Sequence, residues 1–161
     1  MTLRLRALMP DDADAARTLV SGQFENPRYR ARALEVLDEA LQFDDPEFMA
    51  LLAIDGEPER VVGIAVFGTV AGARSVVKLH GVITSDDDAA RMLVQGVRHA
   101  SEHSGERMIV CELPDDAPFA TAIAALEADG FVEEGRVPDF VREGVALRLL
   151  VRPLYDSADS S

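Results

Sequence analysis

Tryptophan is absent, cysteine occurs once, and cations are scarce: 16 Lys and Arg stand against 29 Asp and Glu, a formal charge of −13. The lone Cys111 excludes an internal disulfide and any multi-cysteine metal site. Sequence-independent binding of nucleic acid or anionic lipid needs clustered Lys and Arg, so neither partner is expected; neutral or cationic ones are. Of the three histidines, His99 and His103 lie one helical turn apart, but no third ligand accompanies them, and no metal is expected. No apolar run approaches the ~18 residues that cross a bilayer, and no basic, apolar leader opens the chain. The cytoplasm is therefore the expected compartment. Apolar residues, by contrast, make up 48% of 161, enough for one well-buried core. A single domain is expected over 1–154, with a small polar tail over 155–161 expected to be disordered.

Thr2 to Ala7 alternates apolar and basic residues, the period of a half-buried strand. Pro10-Asp11-Asp12 suits the first turn of a helix whose buried stripe is Ala13, Ala16 and Val20, stopped at Ser21-Gly22. After Asn26-Pro27 a second helix runs from Arg28 to Gln42, with Leu34, Leu37 and Leu41 on one face. Its Arg28, Arg30 and Arg32 are the one concentration of positive charge, most simply a solvated face. Phe48 to Ile54 and Arg60 to Phe67 read as a hairpin around Asp55-Gly56-Glu57-Pro58, and Gly68 to Ser75 as a loop.

The chain is organised around the next stretch. Val76 to Thr84 is a β-branched strand that runs into a helix with Ala89, Leu93, Val97 and Ala100 on one face. Ser85 with Asp88 has the spacing of a capping box. Such a junction commonly holds an anion on its first-turn N–H groups, helped by glycines and a basic residue. This one has no glycine and carries Asp86, Asp87 and Asp88. Unit charges about 4 Å apart interact by roughly 1 kcal/mol in water and roughly 4 kcal/mol at an effective dielectric near 20, so a diphosphate here would be repelled. The plainer reading is a solvated turn that complements the helix dipole. Gly96 inside this helix suggests close packing, and Gly105 ends it. Met108 to Leu113 is a fifth strand closed by Pro114, followed by a helix from Asp116 to Asp129 that buries Phe119, Ala122, Ile123 and Leu126, with Gly130 as its stop. Phe131 to Arg136 and Val145 to Leu150 are two last strands around Pro138-Asp139-Phe140 and Glu143-Gly144.

This order resembles the GCN5-related N-acetyltransferase (GNAT) superfamily. Phe48 to Gly56 with Val61 to Gly68 looks like that family's second and third strands, and Glu127-Ala128-Asp129-Gly130-Phe131 like its helix-to-strand signature. Gly135 to Phe140 with Arg142 to Val145 is similar to the closing hairpin of one bacterial branch. The resemblance implies an α/β fold of layered α and β segments: a mixed, mostly antiparallel sheet of roughly six to seven strands flanked by about four helices. It also implies a splay between the fourth and fifth strands where acetyl-CoA lies, the pantetheine on the backbone of Val82, Ile83 and Thr84. The pyrophosphate position falls beside Ala90 and Arg91, where the family's Arg/Gln-Gly-x-Gly-x-Gly/Ala loop is replaced by a shorter, glycine-free passage. The tyrosine and asparagine that members often carry on the later helix are matched by Leu126 and Phe119.

Acetyl transfer to an amine needs a group to take the amine proton and donors for the thioester oxygen. His80, on the central strand, is the candidate base, and Glu112 and Asp116, at the end of the fifth strand, could attract a cationic amine. Each has a plainer reading: a satisfied histidine, and carboxylates that cap and solvate a loop. Cys111 has no basic neighbour and reads as core. Two functions follow. One is transfer of an acetyl group from acetyl-CoA to a small-molecule or peptide amine. The other is a catalytically silent binding or oligomerisation module, a homodimer for example, that kept the scaffold and lost the phosphate loop.

Overall fold

The computed structural model describes residues 2–154; Tyr155 and the expected disordered tail lie outside the described residues. In chain order the strands are β1 (Leu3–Ala7), β2 (Met49–Asp55), β3 (Arg60–Val70), β4 (Ala73–Ile83), β5 (Met108–Pro114), β6 (Val132–Arg142) and β7 (Val145–Pro153). The helices are α1 (Ala13–Gln23), α2 (Pro27–Ala40), α3 (Asp87–His103) and α4 (Ala120–Ala128), with short 3-10 turns at Pro10–Asp12 and Ala117–Phe119. The strands form one sheet in the order β1-β2-β3-β4-β5-β7-β6, antiparallel at every seam except the parallel β4–β5 pair. No described helix is long and apolar enough to cross a membrane.

Helices cover both faces, which is why β2 and β3 read as unbroken apolar runs. Leu52, Ile54, Ile64 and Val66 face α1 and α2, whereas Ala53, Ala65 and Phe67 face α3 and α4. α2 starts where Asn26 Oδ1 accepts from the amides of Arg28 (2.9 Å) and Tyr29 (3.3 Å), with Pro27 as its first residue. Gly96 meets the expectation of close packing: a Cβ there would stand 2.5 Å from Leu5 Cδ1.

Several local expectations are corrected. The expected loop from Gly68 to Ser75 is strand: β3 runs to Val70 and β4 begins at Ala73, joined through Ala71-Gly72. The α3 cap is Asp86, not Ser85; Asp86 Oδ1 accepts from the Ala89 amide at 2.7 Å. α3 buries Ala89, Leu93 and Val97 as expected but is rotated enough that Ala100 is exposed and Ser101 buried. Ser101 is satisfied there because its hydroxyl donates to the Val97 carbonyl at 2.7 Å. α1 passes through Gly22 to Gln23, and Pro138-Asp139-Phe140 is an irregularity within β6 rather than a turn between strands.

Candidate functional site

β4 and β5 pair at Val76–Met108, Val77–Ile109 and Lys78–Val110, and no further. Beyond that point each strand keeps only its outer partner: β4 stays on β3 to Ile83, and β5 stays on β7 to Pro114. The inner edges of Leu79–Ile83 and Cys111–Pro114 therefore face each other across an opening, each presenting backbone N–H and C=O groups without a cross-strand partner. A cavity of about 360 Å³ occupies the opening, walled on the α2 side by Phe24, Tyr29 and Val36.

His80 owes its position to a bulge. The β3–β4 register runs Phe67–Leu79 and then Val66–Gly81, so His80 is the extra residue with no partner on β3. Its Nε2 lies 2.8 Å from the Glu47 carbonyl oxygen, and its ring stacks on Phe48 with centroids 4.5 Å apart. A carbonyl only accepts, so Nε2 carries the hydrogen and the neutral ring keeps its lone pair on Nδ1. Burial holds the His80 pKa below the ordinary histidine value, opposed by the bond to Glu47 and reinforced by Lys78 and Arg32. Below the ordinary imidazole pKa of about 6.5 the unfolded chain takes up the proton first, so this residue's stabilisation is present above that pH and lost as the pH falls through the depressed native value. Thermal melts from pH 7 to pH 5 should accordingly show a shallower decline in a His80→Gln variant than in the natural sequence.

Tyr29 is a site residue that the sequence does not single out. α2 brings its hydroxyl to Asp116 Oδ2, 2.8 Å away and 87 positions distant in the chain. Arg142, from β6, donates to the same Asp116 oxygen at 2.8 Å and to the Tyr29 hydroxyl at 3.0 Å. Desolvation, then the bond to Asp116, pushes the Tyr29 pKa up, while the Tyr29 and Arg142 bonds hold the Asp116 carboxyl low. The tyrosine proton is committed to Asp116, and the charge of Asp116 is answered by Arg142. The trio is a strut that joins α2, the end of β5 and the β6–β7 hairpin around the cavity. Phe119 packs edge-on to Tyr29 at 4.9 Å, and Leu126 is fully buried in the core beneath α4.

The remaining candidates separate. Glu112, Val82 and Ile83 line the cavity. Thr84 is buried, its hydroxyl donating to the Val62 carbonyl at 2.7 Å and accepting from the Asp86 amide at 3.1 Å. Ala90 is also fully buried, and its amide donates to the Asp86 carbonyl at 3.0 Å. Arg91 is exposed and bonded to Asp88. Cys111 is buried and its thiol pKa is pushed up to about 12, first by desolvation and then by Glu112, so it carries no thiolate near neutrality. Among the described residues no group of three or more His, Cys, Asp or Glu side chains comes together as a metal would need.

This architecture recurs in solved structures. A GNAT-family acetyltransferase candidate from Desulfovibrio desulfuricans superposes with a TM-score of 0.79 at 21% identity, over 96% of this chain and 100% of the other. The fold is that of the GNAT acetyltransferases. An acetyltransferase candidate from Salmonella typhimurium, solved with its cofactor acetyl-CoA, matches at a TM-score of 0.70 and 18% identity, over 98% and 97% of the two chains. The ribosomal-protein-S18-alanine N-acetyltransferase of Escherichia coli matches at 0.72 and 14%, over 97% and 96%. By sequence, no family model and no curated protein matches. The likeness therefore resides in the topology of the fold.

Proposed function

We propose that the protein is an N-acyltransferase that holds an acyl thioester in the opening between β4 and β5 and transfers the acyl group to an amine. The observation that carries this reading is the early end of the β4–β5 pairing, which leaves unpaired backbone beside a cavity bearing His80. Acetyl-CoA, the donor that the fold suggests, would supply an acetyl group activated as a thioester. Its acyl-bearing arm fits the open edge of β4, where backbone groups wait for partners. Its diphosphate does not fit the junction beyond: the amides of Ala89 and Ala90 already donate to Asp86, and Asp87 and Asp88 stand exposed at the same turn. In this reading His80, which lines the cavity and has its Nδ1 lone pair left over from the bond to Glu47, takes the proton of an incoming amine, and its depressed pKa keeps the ring neutral at pH 7.

A second reading, a binding module without turnover, draws on that same crowded junction and on the buried Leu126. The two separate on one measurement. A ligand at 100 times its Kd adds about 2.7 kcal/mol of stability, and for a domain of this size that raises Tm by roughly 5–10 °C. Acetyl-CoA at saturating concentration should raise Tm, together with release of free thiol when an amine is added. No rise leaves the binding module standing and removes acetyl-CoA as donor. Replacing Asp87 and Asp88 by asparagine, with the Asp86 cap kept, should relieve about 1–2 kcal/mol of repulsion and tighten CoA binding roughly five- to thirty-fold. An unchanged affinity in calorimetry would assign the obstacle to backbone geometry rather than charge.

A further inference from the structure

Three charged side chains line the cavity; Arg32 pairs with Glu35 at 3.3 Å, and the other two, of opposite sign, have no such partner. Lys78 on β4 and Glu112 on β5 both border it, yet among the described residues neither enters an ion pair or a side-chain hydrogen bond. They face the same way: the parallel register sets Lys78 opposite Val110, so Glu112, two residues on, projects from the same side of the sheet as Lys78 and His80. Lys78 is half-buried, where a charge is less screened than on an open surface. Apart from Tyr29, Arg32 and His80, the rest of the wall is apolar and aromatic. Phe24 and Phe119 pack with ring centroids 5.4 Å apart, and Phe140 and Leu147 border the same space. A cavity of about 360 Å³ is of a size that holds small organic ligands.

A simple amine would satisfy Glu112 and leave Lys78 unmatched, and an organic acid would do the reverse. A zwitterion answers both. It also carries no net charge for a chain of −13 to repel or attract. We infer that the cavity binds a free α-amino acid with an apolar or aromatic side chain, its carboxylate set against Lys78, its ammonium against Glu112, and its side chain among Phe24, Phe119 and Phe140. Under the acyl-transfer reading, on which its role as acceptor rests, this ligand is the amine that receives the acyl group, delivered on the face that carries His80. As a binding site it stands without that reading.

The test is calorimetry on the full chain, with and without coenzyme A, using L-phenylalanine, phenethylamine and 3-phenylpropionate as probes. L-Phenylalanine should bind about tenfold tighter than either analogue, the difference expected of one charge-assisted contact. Lys78→Met should erase the advantage over phenethylamine and Glu112→Gln the advantage over 3-phenylpropionate, while Lys78→Arg retains most of it. Equal affinity for the three probes, or no binding of L-phenylalanine in either condition, overturns the inference. Should a variant fail to fold, the probe comparison on the natural sequence decides alone. Binding of L-phenylalanine without any response to acetyl-CoA would sink only the acyl-transfer reading. Acyl transfer to simple amines with no binding of L-phenylalanine would sink only this one.

Discussion

Replacing His80 by glutamine should lower the rate of amine acylation by about 10²- to 10⁴-fold, the range for loss of a positioned general base. Glutamine keeps an N–H that can donate to the Glu47 carbonyl, so the bulged strand and the stacked Phe48 retain their anchor. What disappears is the Nδ1 lone pair. The loss should fall on kcat more than on KM, because the proton moves in the transition state. The acidic limb of the pH profile should disappear with it. In the natural sequence that limb lies below the ordinary histidine pKa, since burial disfavours the imidazolium. A His80→Gln protein that turns over at the natural rate, with its pH profile intact, would remove His80 from the chemistry.

Gly68→Ala should be the most damaging of the glycine-to-alanine changes. A Cβ at Gly68 would stand 2.2 Å from the Glu47 carbonyl carbon and 2.4 Å from the Pro46 carbonyl oxygen, and both belong to backbone that cannot rotate away. The segment is further pinned where the Thr69 amide donates to the Pro46 carbonyl at 3.1 Å. Overpacking of this kind costs about 1–3 kcal/mol, and more where the obstacle is main chain. The consequence reaches the site, because Glu47 is the partner of His80. Denaturant melts should show a lowered midpoint with an unchanged m-value, and activity should fall at temperatures where the variant is still folded. A midpoint unaltered by Gly68→Ala would show that the segment around Glu47 does not bear closely on β3.

Gly68 also shows why the stretch expected to be a loop is strand. A glycine followed by Thr69, Val70, Ala71 and Gly72 has the look of a loop, because glycine weakens a strand locally. Here it marks the close approach of another stretch of backbone, which is invisible in the local sequence. The cap of α3 failed differently: Ser85, Asp86, Asp87 and Asp88 can each accept a first-turn amide, and local chemistry does not choose among them. Asp86 is selected because its own amide is held by Thr84, whose hydroxyl is fixed in turn by β3. Tyr29 offered no local sign of its role, since Asp116 and Arg142 come from distant segments and meet it only after the sheet has formed.

Apolar period and turn chemistry were enough to determine most of the strands and helices and their order, because these depend on which residues bury and on where the chain can bend; the layered GNAT architecture came from the resemblance which that order carries. Residues and spacing also determined that the passage after the fourth strand is acidic and lacks glycine. Only the tertiary structure decided where the β4–β5 pairing stops, which side of the sheet carries Lys78, His80 and Glu112 together, and that Asp116 is neutralised by Arg142. Those facts rest on register, a bulge and contacts between remote segments. They are properties of assembled strands, and no window of neighbouring residues contains them.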